Sequence, residues 1–415
     1  MNTLTRRRFI AGSGVTAAGA LAFGATRVNW ADLLAEGERD PLPDNAGVLV
    51  VVTLYGGNDG LNTVIPAGDS AYHDARSELA YKPEEVLDVG DGLGLNPGLR
   101  GLKDLWDARK LAIVRGVGYP KPDHSHFRSM AIWQTASPQS PARTGWLGRW
   151  LDATGDDPIR ALSVEPVLPP LLAGDHVAGA SLPVSGLQLP KGPLGTAFLA
   201  LGQPQPGEGT DLARAAKSVA DLAEAARVLR DARSKQDENP PEDEERNNGA
   251  SAGGRGALGA QLDLVAGLIE MGVPTRAYSV SLGGFDTHAD ERATQQRLLT
   301  ELDKALGPFV TRMKRTDRGR NAVVLVYSEF GRRVRANASQ GTDHGTAGPA
   351  FLLGEKVNGG FYGAQPSLAD LDDGDLRETT DFRDIYATLL DHVLGTDPGP
   401  ILNDHPGRLA NLVAT

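Results

Sequence analysis

Gly47-Val48-Leu49-Val50-Val51-Val52-Thr53-Leu54 runs straight into Tyr55-Gly56-Gly57-Asn58-Asp59-Gly60-Leu61-Asn62. The first part is apolar and β-branched, without the alternation of a half-exposed strand. That describes a strand covered on both faces, as in a parallel sheet. The glycines after it let the chain turn sharply, while Asp59 and Asn62 bring side-chain oxygens to the strand end. The same residues also describe a plain Asn-Asp-Gly turn with capping side chains. Further apolar runs at 111–116, 162–165, 277–282, 322–327 and 349–353 are separated by helical patterns such as 257–271 and 291–316. Strand and helix in alternation predict an α/β fold with a mostly parallel central sheet flanked by helices on both faces. In such sheets ligands sit beyond the carboxyl ends of the strands, so polar residues there are the ones to weigh.

Composition narrows the chemistry. The chain has 415 residues, of which 40% are apolar and 23% charged, enough for a sizeable core. Its formal net charge of −11 offers no basic face to nucleic acid. With no cysteine there is no thiol nucleophile, disulfide, iron–sulfur cluster or Cys-based zinc site. Histidines and carboxylates are the strong metal ligands left, which selects a hard or borderline divalent ion: Zn, Ca, Mg or Mn.

Residues 1–30 read as an address. Thr5-Arg6-Arg7-Arg8-Phe9-Ile10 and the Ala/Gly run that follows resemble a twin-arginine export signal. The apolar stretch is too short and too rich in glycine to span a membrane. Ala20-Leu21-Ala22, Ala25 or a point near Asn29-Trp30-Ala31 offers a cleavage site. Cleavage removes Arg6, Arg7 and Arg8 and takes the net charge to about −14. The expected mature protein is therefore acidic, without a transmembrane span, exported folded through the twin-arginine machinery and periplasmic or secreted. It is expected to form one domain over 45–415, interrupted at 204–256 by an insertion made of a helix and an acidic solvated loop.

Three clusters pair an imidazole with a carboxylate or hydroxyl. Asp123-His124-Ser125-His126-Phe127-Arg128 precedes an apolar helical segment, so Ser125 sits at a helix start, as a plain N-cap or as a hydroxyl in a positive field suited to anion binding and nucleophilic attack. Gly284-Phe285-Asp286-Thr287-His288 places a carboxylate and an imidazole two residues apart after a strand, a spacing that can chelate one metal. Gly341-Thr342-Asp343-His344-Gly345 adds a third, in a glycine-rich loop whose glycines suggest close approach to a ligand. Glu329, in Tyr327-Ser328-Glu329-Phe330-Gly331-Arg332-Arg333, lies at another strand end, as a site residue or as the ion-pair partner of Arg332 or Arg333. His73 and His176 read as surface-loop residues, His392 as a helix-face residue and His405 as part of a turn; none joins the site.

Taken together, the export signal, the Tyr55–Asn62 stretch, Ser125-His126-Phe127 and the three motifs around Asp286, Glu329 and His344 resemble the DUF1501 proteins over nearly the whole chain. That family is similar in turn to the alkaline phosphatase and sulfatase superfamily, and Thr379 to Leu390 looks like the closing helix of sulfatase-like proteins. The resemblance implies an alkaline-phosphatase-like fold with one or two divalent ions flanking a nucleophile. Carried over, Asp59, Asp286, His288, Glu329 and His344 are the metal ligands and Ser125 the nucleophile. Glu329-Phe330 stands where the superfamily has Asp-His, so one imidazole is missing, and His126 would replace it or bind the leaving group. Arg128 and Arg332 are the candidate anion clamps.

The function expected is hydrolysis of phosphate or sulfate esters, small-molecule or polysaccharide, outside the cytoplasm, by Ser125 or a metal-activated water. The alternative is a non-catalytic exported protein that keeps the fold and binds carbohydrate or a partner; the missing imidazole and the overall acidity favour it.

Overall fold

The computed structural model describes Val28 and residues 30–139, 141–165, 167–182 and 258–414. The export signal and the 204–256 insertion expected from the sequence lie, but for Val28 and Trp30, outside the described residues. Nine strands form the central sheet: β1 (Val48–Leu54), β2 (Leu111–Gly118), β3 (Ala161–Ser163), β4 (Ala180–Ser181), β5 (Ala277–Leu282), β6 (Ala322–Ser328), β7 (Gly348–Leu353), β8 (Gly360–Tyr362) and β9 (Thr380–Asp381). Their order is β8-β2-β7-β6-β1-β5-β3-β4, with β9 beside β2. All pairings are parallel except those of β7, which runs against both β2 and β6. The sheet is thus mostly parallel, as the strand patterns predict.

β1 is central, and every one of its residues is buried between β5 and β6. Because successive side chains of a strand point to opposite faces, its single apolar run serves two cores. Val48, Val50, Val52 and Leu54 pack with helices α6 (Leu258–Glu270) and α7 (Glu291–Met313) through Leu262, Val265, Leu298 and Leu302. Leu49 and Val51 belong to the other core, with Trp133, Trp146, Trp150, Phe382 and Tyr386 from α4 (His126–Thr135), α5 (Trp146–Thr154) and α8 (Phe382–His392). The remaining helices used below are α1 (Trp30–Arg39), α2 (Ser70–Arg76) and α3 (Arg100–Asp107). Among the described residues no helix is long and apolar enough to cross a membrane.

The carboxyl ends of β1, β2, β5 and β6 share one edge. β7 enters from that edge because it runs the other way, which brings the loop ahead of it to the same place. Pairing of Arg332 with His344 and the bonds Gly331 N–H to Thr346 O (2.7 Å) and Arg333 N–H to Asp343 O (3.0 Å) pin that loop to the segment leaving β6.

Candidate functional site

Gly56 has φ +116°, and a Cβ there would lie 2.5 Å from the Asp286 nitrogen. Only glycine lets the turn after β1 approach the Phe285–Asp286 backbone this closely. Phe285 N–H donates to Tyr55 O at 3.2 Å, fixing the start of the Asp286–His288 segment against β1. The tight approaches at Gly341 and Gly345 have the same character. A Cβ at Gly341 would lie 2.2 Å from the His288 carbonyl carbon and one at Gly345 2.4 Å from the Arg332 carbonyl carbon, so the glycines expected to face a ligand face neighbouring backbone instead.

Four side chains from three loops meet here. Oδ1 of Asp286 lies 3.0 Å from His288 Nε2, 3.1 Å from His344 Nε2 and 3.3 Å from His126 Nε2. His288 Nε2 and His344 Nε2 are 3.0 Å apart. The ligating atoms of His126, Asp286 and His344 all lie within 4.8 Å of one another. His126 Nε2 is buried and makes no hydrogen bond. Atoms sharing an ion at about 2.1 Å would be spaced about 3.0–3.4 Å apart, so this donor set, with its orphaned imidazole nitrogen, fits one divalent ion.

Neighbouring groups aim the rings. His126 Nδ1 bonds Glu329 Oε1 at 2.8 Å, and His344 Nδ1 bonds the His124 carbonyl at 2.8 Å. Each bond leaves Nε2 pointing into the cluster, the arrangement by which carboxylates and carbonyls orient metal-binding histidines. The Phe330 ring lies 4.9 Å from that of His126 and 5.0 Å from that of His344.

The electrostatics follow from the close approach of acids and imidazoles. Burial opposes charging His126, but the carboxylates of Asp286 and Glu329 prevail and push its pKa up to about 9. Burial would raise Asp286, yet the His126, His344 and Arg332 contacts hold it well below the usual carboxylate range. His288 is held below its ordinary value by burial and by the Arg332 charge.

The other expected site residues lie as follows. Glu329 is one bond removed from the cluster: Oε1 accepts from Gly56 N–H at 2.9 Å and contacts His126, while Oε2 accepts from Ser328 Oγ at 2.9 Å. Asp59 is fully buried and paired with the equally buried Arg76. Arg332 is buried and donates to the carbonyls of Gly56, Gly57, Phe285 and Thr342 and to Asp286 Oδ1 at 2.8 Å. Ser125 is the exposed N-cap of α4, but its hydroxyl caps no N–H group. Arg128 is exposed and pairs with Asp123 at 3.1 Å. Of the histidines left aside, His73 sits in α2 rather than in a loop, and His405 pairs with Asp384 at 2.6 Å.

A mostly parallel α/β sheet with an acid–imidazole cluster at the carboxyl edge of its strands is the class of protein seen here. The chain belongs to the family described as protein of unknown function (DUF1501), whose model matches residues 197–414. A sequence comparison with curated proteins returns no match. Among solved structures it is similar to a protein in the alkaline phosphatase superfamily from Vibrio parahaemolyticus, with TM-score 0.38 and 10% identity over 88% of this chain and 70% of that one. It is also similar to the phosphonate monoester hydrolases of Silicibacter pomeroyi (TM-score 0.33, 11% identity, 87% and 77% covered) and Agrobacterium radiobacter (0.33, 12%, 87% and 78%).

Proposed function

We propose that the protein is an exported, metal-dependent hydrolase of phosphate or sulfate esters. The observation that carries this reading is the convergence of the His126, His288 and His344 Nε2 atoms on Asp286 Oδ1. Of these, His126, Asp286 and His344 would hold a divalent ion, with His288 beside them and zinc best matched to the imidazole-rich set. Such an ion supplies Lewis acidity toward an ester oxygen and lowers the pKa of an oxygen nucleophile.

The chain's own residues do the rest. Ser125 is flanked in the chain by His124, whose carbonyl holds His344, and by His126 of the cluster, and its hydroxyl is the nucleophile of this reading; a water molecule is the other source of the attacking oxygen. The first-turn N–H groups of α4, which the Ser125 hydroxyl leaves uncapped, are donors for the oxygens of a tetrahedral anion. Arg128, two residues after His126 and in a weak exposed ion pair with Asp123, is the clamp of this reading for such an anion. Arg332 and Glu329 are positioning residues, holding Asp286 and His126.

The twin-arginine resemblance of residues 5–10 supports export of the folded protein, and replacing Arg6 and Arg7 by Lys should retain it in the cytoplasm. The substrate class includes small esters and esterified polysaccharides. Turnover of 4-nitrophenyl phosphate and 4-nitrophenyl sulfate by zinc- or manganese-loaded protein, with Ser125→Ala and Asp286→Ala as controls, tests the reading. A loaded protein that turns over neither ester would instead keep the fold as a binding module.

A further inference from the structure

Two acidic groups flank the turn after β1, and they are built for different cations. We propose that the site holds a single divalent ion and that the Arg76 guanidinium is the permanent cation at Asp59. This rests on the metal-dependent reading above and deepens it.

Asp59 Oδ2 accepts a hydrogen bond from Arg76 Nη1, and both side chains are fully buried. The guanidinium is held from two further directions: Nε donates to Val334 O at 2.9 Å and Nη2 to Arg333 O at 2.8 Å. It cannot swing away to admit another ion without leaving the Val334 and Arg333 carbonyls unpaired. The remaining Asp59 oxygen, Oδ1, and Glu291 Oε1 are both buried without a hydrogen-bond partner. Burial and the neighbouring Asp59 charge push Glu291 well above its ordinary value, so it carries a proton. One guanidinium and one proton thus neutralise two carboxyls. Glu291 is locked from its other side by the Thr342 hydroxyl, which donates to Oε2 at 2.5 Å. Gln295 Nε2 closes the pocket with bonds to Asn58 Oδ1 at 2.8 Å and Asp59 O at 3.2 Å.

The other potential ligands are also spent. Glu329 Oε1 is engaged by Gly56 N–H and His126, and Oε2 shares the single Ser328 hydroxyl hydrogen with Leu54 O. The next residue, Phe330, sets an apolar ring with no donor atom against His126 and His344. Among the described residues, His126, Asp286 and His344 are the one group of at least three His or carboxylate side chains whose ligating atoms are close enough to share an ion.

The test is metal stoichiometry. The full chain is loaded with zinc, and separately with manganese, dialysed, and its metal measured by mass spectrometry against protein concentration. One ion per chain is expected, retained by Asp59→Asn, which keeps an acceptor for Arg76, and lost from Asp286→Ala and His344→Ala. Two ions per chain, or loss of the ion in a folded Asp59→Asn protein, would overturn the proposal. Should Asp59→Asn fail to fold, the wild-type count alone decides. Two ions with ester turnover would overturn this inference and leave the hydrolase reading standing, whereas no bound ion would overturn the metal-dependent reading and this one with it.

Discussion

The Asp286 cluster and the Asp59 cluster lie at the same edge of one sheet, each centred on an aspartate that follows a buried parallel strand, yet they are opposites. Around Asp286 the neighbours are three imidazoles, two of them fixed through Nδ1 so that their Nε2 atoms converge, and the Arg332 guanidinium, which donates to Oδ1 at 2.8 Å. Around Asp59 they are a guanidinium, a second carboxyl, and the amides and hydroxyls of Asn58, Gln295 and Thr63. The first set leaves electron pairs facing a shared point, partly open to solvent. The second neutralises itself and is sealed. A carboxylate at a strand's end is therefore no more than an invitation; the groups the fold places against it decide whether it binds an ion or becomes part of the core.

The largest effect should come from breaking the sealed pair. Arg76→Met leaves Asp59 buried without its counter-charge and should cost about 3–5 kcal/mol in denaturant unfolding. A loss below 1 kcal/mol would show that the pair is not the closed, low-dielectric contact described here. The open cluster should behave differently. Asp286→Ala should remove metal binding and ester turnover while the apo protein unfolds near the wild-type midpoint, and zinc at 100 times its Kd should stabilise wild type by about 2.7 kcal/mol and the variant by none. Equal stabilisation of both proteins by zinc would place the ion elsewhere.

A pH titration sharpens the contrast. Burial and the neighbouring Asp59 charge push Glu291 well above its usual value, so its protonated form stabilises the fold below the unfolded-state pKa near 4.5, and that contribution is lost as pH rises through the higher folded value. Asp59 is shifted the other way: burial opposes its charge, but Arg76 prevails, so its contribution is lost as pH falls below about 3.8. Glu291→Gln should flatten the alkaline side of the stability profile of apo protein and leave the acid side; an unchanged alkaline slope would refute the proton held on Glu291.

The smallest effect on stability should be that of Ser125→Ala. Its hydroxyl caps no N–H group, so the usual cost of about 1 kcal/mol for removing an N-cap should be largely absent. Ester turnover should nevertheless collapse if Ser125 is the nucleophile. Retained turnover with unchanged metal content would assign the attack to water.

Much of this was legible from residue order alone. A run such as 48–54, apolar at every position but Thr53, reads as a doubly covered strand because burial on both faces removes the need for alternation, and the structure shows all seven residues buried. The Asp286, His288 and His344 motifs announce themselves because acids and imidazoles between glycines after a strand have little else to pack against. His126 was legible as a candidate for the missing imidazole or for the leaving group; its 3.3 Å approach to Asp286 Oδ1 is a matter of packing. Nothing local says that Asp59 meets Arg76 from α2 while Asp286 meets His344 from a loop 58 residues away.

Those assignments depend on strand order and direction. β5 and β6 flank β1, although more than 200 residues separate them from it, and β7 reverses, delivering His344 to the edge from the loop before a strand rather than after one. Periodicity in the sequence records which side chains must leave water, a local property of each segment. Which buried or half-buried group then faces which is set by how the segments pack, and at distances near 3 Å that packing puts one aspartate among imidazoles and the other in a sealed pair with a guanidinium.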